Sequence, residues 1–472
     1  MDFTEGSAQP SELVKPTKPS RRVLPASAEK ASVKSAAPQR SAEPQRSSEP
    51  LRLTADHIRT KVNLNEDATN SANADNLQAE LTEVWTEGTV RIEQPQKEGE
   101  EPLLITGDRL HMRNASRNGQ QVLHILGQPA EVVARGFDIK GNEVFLDRLN
   151  NRTWIEGAGE LGLLVKNDFE NGKLDTPARL MVWWKEKMLF DGQTATFLGN
   201  VKSVLKDSRL NCDEMEVVLL ERLSFQVDSG PSPQAEVRRV ICKNGVEIDH
   251  TLYVDNTLSE IRRGHFATLT LDQQSGRMDA VGPGEISMWR PGRGKRAALA
   301  PRAVAQANRP LESEVSNWEF TRINFFGKTV GNLRDRQTKF QDRVHIIYGP
   351  VTNPLDTIDP DHLPKDGGVM ECDSLQILQR KETNGQKPFV ELEAKGNAKL
   401  EGRTFNARAD EITFDESKER YTMRAIGNRQ VTIWRQTTPV GEPNELNAKS
   451  LWFIPSLNRI SGDQTSGIRG TN

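Results

Sequence analysis

Four aspartates recur just ahead of an apolar pair: Asp108, Asp213, Asp373 and Asp410. Repeated carboxylates are the raw material of calcium sites and of general acid–base pairs, but both uses need two or more of them brought together. These lie about 35 residues or more apart, and Asn142, Ala178 or Lys449 takes the same slot elsewhere. An aspartate at the start of a strand has a simpler use, accepting a hydrogen bond from a nearby backbone N–H. That is the role expected of these four. The histidines, His57, His111, His124, His250, His265, His345 and His362, never pair at metal-ligand spacing. Cys212 and Cys372 fill a slot that Gly107, Ala409 and Ala448 fill elsewhere, so they read as small buried residues, while Cys242 stands alone. No HExxH, GxSxG or glycine-rich phosphate loop occurs. The expectation is a non-enzymatic chain with no metal site and no cofactor.

The slots belong to a six-residue phrase that returns along the chain. Clear copies are Gly107–Met112, Gly141–Leu146, Pro177–Val182, Cys212–Val217, Cys372–Ile377, Ala409–Phe414 and Ala448–Phe453; looser ones are Phe266–Leu271 and Phe320–Phe325. Starts lie about 34 to 39 residues apart, and about 54 where a loop has grown. The fourth and sixth positions are apolar in every copy and the third and fifth mostly polar. Alternation with period two describes a strand with one face on a core and the other in water. In four copies a polar turn is followed by an arginine and then a glycine: Arg152 to Gly157, Arg277 to Gly282, Arg420 to Gly427 and Arg459 to Gly462. The arginine opens a returning strand, and the glycine marks its end, a bulge or a bend. Apolar residues resume beyond, as at Val201, Val204 and Leu205 or Ala398 and Leu400. Units of this size cannot bury their own apolar face and must stack on one another. In series they give a long antiparallel sheet that folds over on itself.

Composition agrees with such a thin structure. The chain has 472 residues, 27% of them charged with a net charge of −3, so no global field points to nucleic acid. Hydrophobic residues make up 35% and mean hydropathy is −0.64, which suits a one-sided sheet better than a thick core. No apolar run reaches the roughly 18–20 residues of a membrane helix. Three tyrosines and eight tryptophans are too sparse for the aromatic girdles of a transmembrane barrel.

Residues 1–78 are rich in Pro, Ser and Ala and then polar, and are expected to be disordered. No apolar run of signal-peptide length follows Met1. Repeats fill 79–290 as a first block and 313–472 as a second. Between them, 291–312 reads as a basic flexible linker with Arg293, Lys295, Arg296, Arg302 and Arg309 and no acid through Pro310. It is a solvated linker or, alternatively, a contact for phosphate or anionic lipid. Pro350 to Gly368 reads as a long loop.

The segments Gly199–Val217, with Gly-Asn-Val-Lys ahead of Cys-Asp-Glu-Met-Glu-Val, and Gly396–Asp415 resemble the LptA/OstA family of lipopolysaccharide transport proteins. The likeness spans roughly residues 85–470 and rests on the number of copies. It implies an all-β fold, a repeat β-jellyroll or β-taco of two facing antiparallel sheets with an apolar groove between them. It also implies a periplasmic or cell-envelope protein that binds an amphipathic, lipopolysaccharide-like lipid in that groove. Such a protein stacks edge to edge with itself or with other envelope β-jellyroll proteins. Candidate groove-lining residues are Leu110, Met112, Val144, Leu146, Leu180, Val182, Met215, Val217, Leu269, Leu271, Ile412 and Phe414. The same alternation also fits a structural β-solenoid, an adhesin-like surface protein or an assembly module with a filled core and no ligand.

Overall fold

Period-two alternation sets the chain into extended segments throughout. The computed structural model describes residues 52–64, 79–94, 103–117, 120–134, 137–169, 172–223, 236–292, 318–332, 334–380, 389–403, 405–435, 444–454, 457, 459–465 and 467–469. They form strands from Arg52–Thr54 to Gly467–Arg469, with one 3-10 turn at Glu416–Lys418 and no α-helix among the described residues. The strand pairings are antiparallel and join one continuous sheet.

The expected disorder of 1–78 needs correction over part of its length. Arg52–Thr54 and His57–Leu64 are strands, and both pair with Ala79–Gln94. Ile58, Thr60 and Val62 give the second one strand-forming alternation that the polar average of the wider segment masks. The rest of 1–78 lies outside the described residues, as does the linker from 293 onward. The strands on its two sides pair directly, Gly284 with Phe325 through Pro291 with Trp318. Both repeat blocks therefore belong to one sheet.

Few of the long strands keep a single register. Near the middle, two residues of one strand commonly stand opposite one of its neighbour, which bends the bulged strand. Leu198 pairs with Glu214 and Val201 with Cys212, leaving Gly199 and Asn200 opposite Asp213 alone. The same break puts Gly88 and Thr89 opposite Asp108, Asp342 and Arg343 opposite Asp373, and Gly396 and Asn397 opposite Asp410. Elsewhere the break splits a strand in two, as between Lys173–Trp184 and Lys187–Phe190, or Trp318–Phe325 and Lys328–Asn332. Neighbour on neighbour, the breaks align into a crease. Gly199 and Asn200 sit there at φ +82° and +46°, and Gly396 and Asn397 at +78° and +45°. Glycine adopts this left-handed region freely and asparagine tolerates it, which is why Gly-Asn recurs.

The halves on either side of the crease build two ladders. The upper one includes 109–113, 143–147, 214–219, 237–243, 268–272, 337–341 and 411–415. The lower one includes 103–107, 137–141, Lys173–Trp184, 201–205, 257–266, Trp318–Phe325, 344–351 and 405–409. Side chains of the two ladders meet: Trp184 of the lower lies 5.2 Å from Phe197 of the upper, ring to ring, and Phe325 lies 5.6 Å from Phe340.

Inward positions change phase at the crease. Ser208, Leu210 and Cys212 are buried before it and Met215, Val217 and Leu219 after it. The small residue of the phrase is thus the last inward position before the fold, where the ladders converge. A Cβ on Gly141 would lie 2.5 Å from Ile155 Cγ2; Cys212, Ala409 and Ala448 are buried at the equivalent place. The copies at Pro177–Val182 and Phe320–Phe325 differ, lying wholly in the lower ladder with the break after them.

The outer faces carry their own order. Across the upper ladder, Trp85 stacks on His111 at 5.2 Å, and His124, Phe145 and Trp154 stack in turn at 4.2 and 4.8 Å. On the lower ladder the loop 352–367 folds back, bringing Ile358 and Leu363 onto Trp289, Phe320, Ile347, Val351 and Val369. Trp289 Nε1 donates to the Asp356 carbonyl at 2.7 Å.

Candidate functional site

The recurrent aspartates do not converge. They sit at the crease in mid-strand rather than at strand starts, and two of them, Asp373 and Asp410, make contacts at their own bends. Asp410 Oδ2 accepts from the Ile426 backbone N–H at 2.5 Å, and its Oδ1 lies 2.8 Å from Arg429. Asp373 Oδ2 accepts from the Asn397 side-chain amide at 3.3 Å. Among the described residues, no three His, Cys, Asp or Glu side chains gather as a metal site would require. All three cysteines are buried free thiols. Cys242, read as isolated, in fact lies against Cys212, which together with burial raises its pKa well above the ordinary thiol value. Burial, with Asp373 beside it, pushes the Cys372 thiol up to about 12. A thiol held protonated in this way is a poor nucleophile.

Attention therefore falls on the space between the ladders. All twelve candidate lining residues are buried there. Leu110, Met112, Val144, Leu146, Met215, Val217, Leu269, Leu271, Ile412 and Phe414 come from the upper ladder, and Leu180 and Val182 from the lower. Nine of them are packed against neighbours. Leu180, Met215 and Val217 instead line a cavity of about 310 Å3, together with Val165, Pro177 and Leu205 below and Val237 and Val240 above.

The cavity has a closed direction and an open one. Toward the crease, the next inward residues, Trp184 and Phe197, meet ring to ring, and Trp184 Nε1 donates to the Gly157 carbonyl at 3.1 Å. Away from the crease lie the strand ends: Leu164, Lys166, Asn167, Asp168 and Phe169 below, with Leu220, Glu221, Glu236 and Gln273 above. Gln273 Nε2 donates to the Asp168 carbonyl at 3.4 Å, tying the two lips together. Leu164 and Leu220 stay 47% and 41% exposed at this rim. A partly apolar chamber of this size, with a few polar groups, is the usual form of a small-ligand site.

No family model and no curated protein matches this sequence. The site must be read from its own chemistry.

One polar side chain breaks the apolar lining. Ser203 is 1% exposed and borders the cavity. It escaped the sequence reading because Val201, Val204 and Leu205 stood out as the apolar set. The inward residues are Val201, Ser203 and Leu205, with Val204 half-buried on the other face. Strict period-two counting from Val201 would have found it.

Farther along the sheet the same space is filled. Phe325 meets Phe340, Phe405 meets Phe453 at 5.5 Å, and Phe414 meets Tyr421 at 4.6 Å. Tyr348 and Tyr421 share a hydroxyl–hydroxyl hydrogen bond from opposite ladders, and burial raises the pKa of both phenols.

Proposed function

We propose that this chain is a non-enzymatic lipid-binding protein of the LptA/OstA type, a β-jellyroll that carries or bridges an amphipathic, lipopolysaccharide-like lipid during outer-membrane biogenesis. The cavity between the ladders carries this reading. Its walls are the aliphatic side chains of Val165, Leu180, Leu205, Met215, Val217, Val237 and Val240, and it opens at the strand ends. Burying a methylene contributes ~0.8 kcal/mol, so an alkyl chain gains several kcal/mol for each short stretch it places there. A slot with aliphatic walls that opens at the strand ends suits a tail whose head stays outside. The periplasm or cell envelope is the compartment where such a carrier acts. Its partners on this reading are the lipid and neighbouring β-jellyroll proteins, or further copies, joined at the strand edges His57–Leu64 and Arg459–Asp463.

A second reading has its own observation. Around Tyr348 and Tyr421 the interior is packed with buried rings, which suits a structural module with a filled core. Displacement of a fluorescent acyl probe tests the two together. Wild-type protein binds the probe under the lipid reading, and Met215→Asp, which puts a carboxylate into the slot, loses it while the fold persists by circular dichroism. Wild-type protein that binds no probe and carries no co-purified lipid by mass spectrometry leaves the structural module alone standing.

A further inference from the structure

Where a copy of the phrase crosses the crease, two inward positions on adjacent strands come together. One is the small residue that opens the phrase, the last inward position of the lower ladder. The other stands on the next strand of the upper ladder, opposite the fourth residue of the phrase. Leu110 pairs with Ile125 and Val144 with Ile155. A Cβ on Gly107 would lie 2.8 Å from Ile125 Cγ2, and one on Gly141 2.5 Å from Ile155 Cγ2. The crease thus sets the β-carbon of the first position beside the γ-atom of the second.

What fills the two positions varies. Leu375 pairs with Ala394 and Ile412 with Met423, so Cys372 meets an alanine slot and Ala409 a methionine slot. Met215 pairs with Cys242, so at the Cys212 copy both positions are cysteines, and the two side chains lie against each other. In a disulfide the Sγ of one cysteine lies about 3 Å from the Cβ of the other, close to the separation that the two glycine copies show. Cys212 and Cys242 are 4% and 0% exposed. A bond between them would join 208–212 of the lower ladder to 237–243 of the upper, one residue pair from the cavity-lining Met215 and Val240.

We infer that Cys212 and Cys242 are an oxidisable pair whose disulfide staples the two ladders across the crease, on the closed side of the cavity. The inference goes beyond the lipid reading and does not depend on it. The reaction is exchange with a small-molecule or protein disulfide. One cysteine gives up its proton and attacks a sulfur of the oxidant, expelling a thiolate; the second gives up its proton and displaces the remaining half. The two cysteines lose two protons and two electrons, and the oxidant leaves as two thiols. Burial keeps the folded Cys242 thiol protonated, so exchange is fastest while the strands are still assembling. The closed loop restricts the unfolded chain and so favours the fold.

The test refolds the full chain from denaturant in oxidised and reduced glutathione, blocks the remaining thiols with an alkylating reagent and maps the peptides by mass spectrometry. The expected product links Cys212 to Cys242 within one chain, at least about tenfold more often than either is linked to Cys372. Oxidised wild-type protein should unfold at a higher denaturant concentration than reduced protein, and Cys212→Ala should abolish the shift. Alanine holds this slot at Ala409 and Ala448, so that variant keeps the fold. Ala394→Cys places a thiol against Cys372 and should gain a second link there. Alkylation of all three cysteines after oxidation, links that prefer Cys372 or a second chain, or a midpoint that oxidation leaves unchanged or lowers overturns the inference. So does a folded Ala394→Cys variant without the second link, because the crease would then not bring the two positions together. Each of these results leaves lipid binding intact, and a chain that binds no lipid leaves the thiol pair intact.

Discussion

The stretches 159–243 and 318–453 share one plan, two ladders joined at a crease, yet between the ladders one encloses a cavity and the other brings aromatic rings together. The difference lies in what stands at the inward positions. In the first they are Val165, Leu180, Leu205, Met215, Val217 and Val240, with Trp184 and Phe197 as a single ring pair next to the crease. In the second they include Phe325, Phe340, Tyr348, Phe405, Phe414, Tyr421 and Phe453. Rings from opposite ladders touch, and aliphatic side chains in this register fall short of one another. One scaffold thereby supplies both a slot and a plug, which differ in the aromatic rings that face inward.

The largest effect that tests this contrast is expected in the filled half. Phe340→Ala, at 2% exposure between Phe325 and the crease, should cost about 3–5 kcal/mol in chemical denaturation and leave acyl-probe binding unchanged. Lost probe binding would mean that the two halves are coupled.

Enlarging a side chain sharpens the comparison. Val217→Phe adds volume where space exists and should stay within about 1 kcal/mol of wild-type stability while weakening the probe about tenfold. Ala394→Leu, at a fully buried position in the filled half, should cost about 1–3 kcal/mol. Equal costs for the two would show that the cavity is not available volume.

The crease should respond alike in both halves. Gly396→Ala forces a side chain into the left-handed region, where its Cβ would lie 2.2 Å from Asp373 Oδ2. A loss of about 1–2 kcal/mol by thermal unfolding is expected, whereas no loss would mean that the bend does not need glycine.

The smallest effect is electrostatic. On the outer face of the first half, Lys243 contacts Glu214 at 2.7 Å and Glu216 at 2.6 Å, and its hydrogen bond holds the Glu214 carboxyl below the usual range. In the second half, burial and then Glu393 hold the Glu411 carboxyl above it. A lowered carboxyl stabilises the fold above its unfolded value near 4.5 and loses that contribution as pH falls through its folded value. A raised one favours the fold at acid pH and opposes it once pH passes its folded value. Glu214→Gln should therefore lower the melting temperature near pH 7 but not near pH 3, and Glu411→Gln should raise it near pH 7. Each change amounts to at most about 1 kcal/mol. Opposite signs in a pH series of melts would contradict the assignment.

Strand periodicity was legible because it is local. Leu110 with Met112, and Ile412 with Phe414, declare their inward face within six residues. The purpose of Gly-Asn and of the small residue before each aspartate was not legible, because it depends on the neighbouring strand's register. Asp213 looks like a strand start until Gly199 and Asn200 are seen opposite it. The stacked row of Trp85, His111, His124, Phe145 and Trp154 was hidden for the same reason, each ring coming from a different strand. Slot and plug share one alternation, so only the summed volumes of residues far apart in sequence separate them. The strand at His57–Leu64 was lost in an average dominated by its proline- and serine-rich surroundings.

The most direct measurement is crystallographic: soak the protein with a dodecyl amphiphile brominated at the tail end and locate the bromine by anomalous scattering. A peak between Leu180 and Met215, with none between Phe325 and Phe453, is the expected result. Bromine only on the outer faces, or equally in both halves, would contradict the division of this sheet into a slot and a plug.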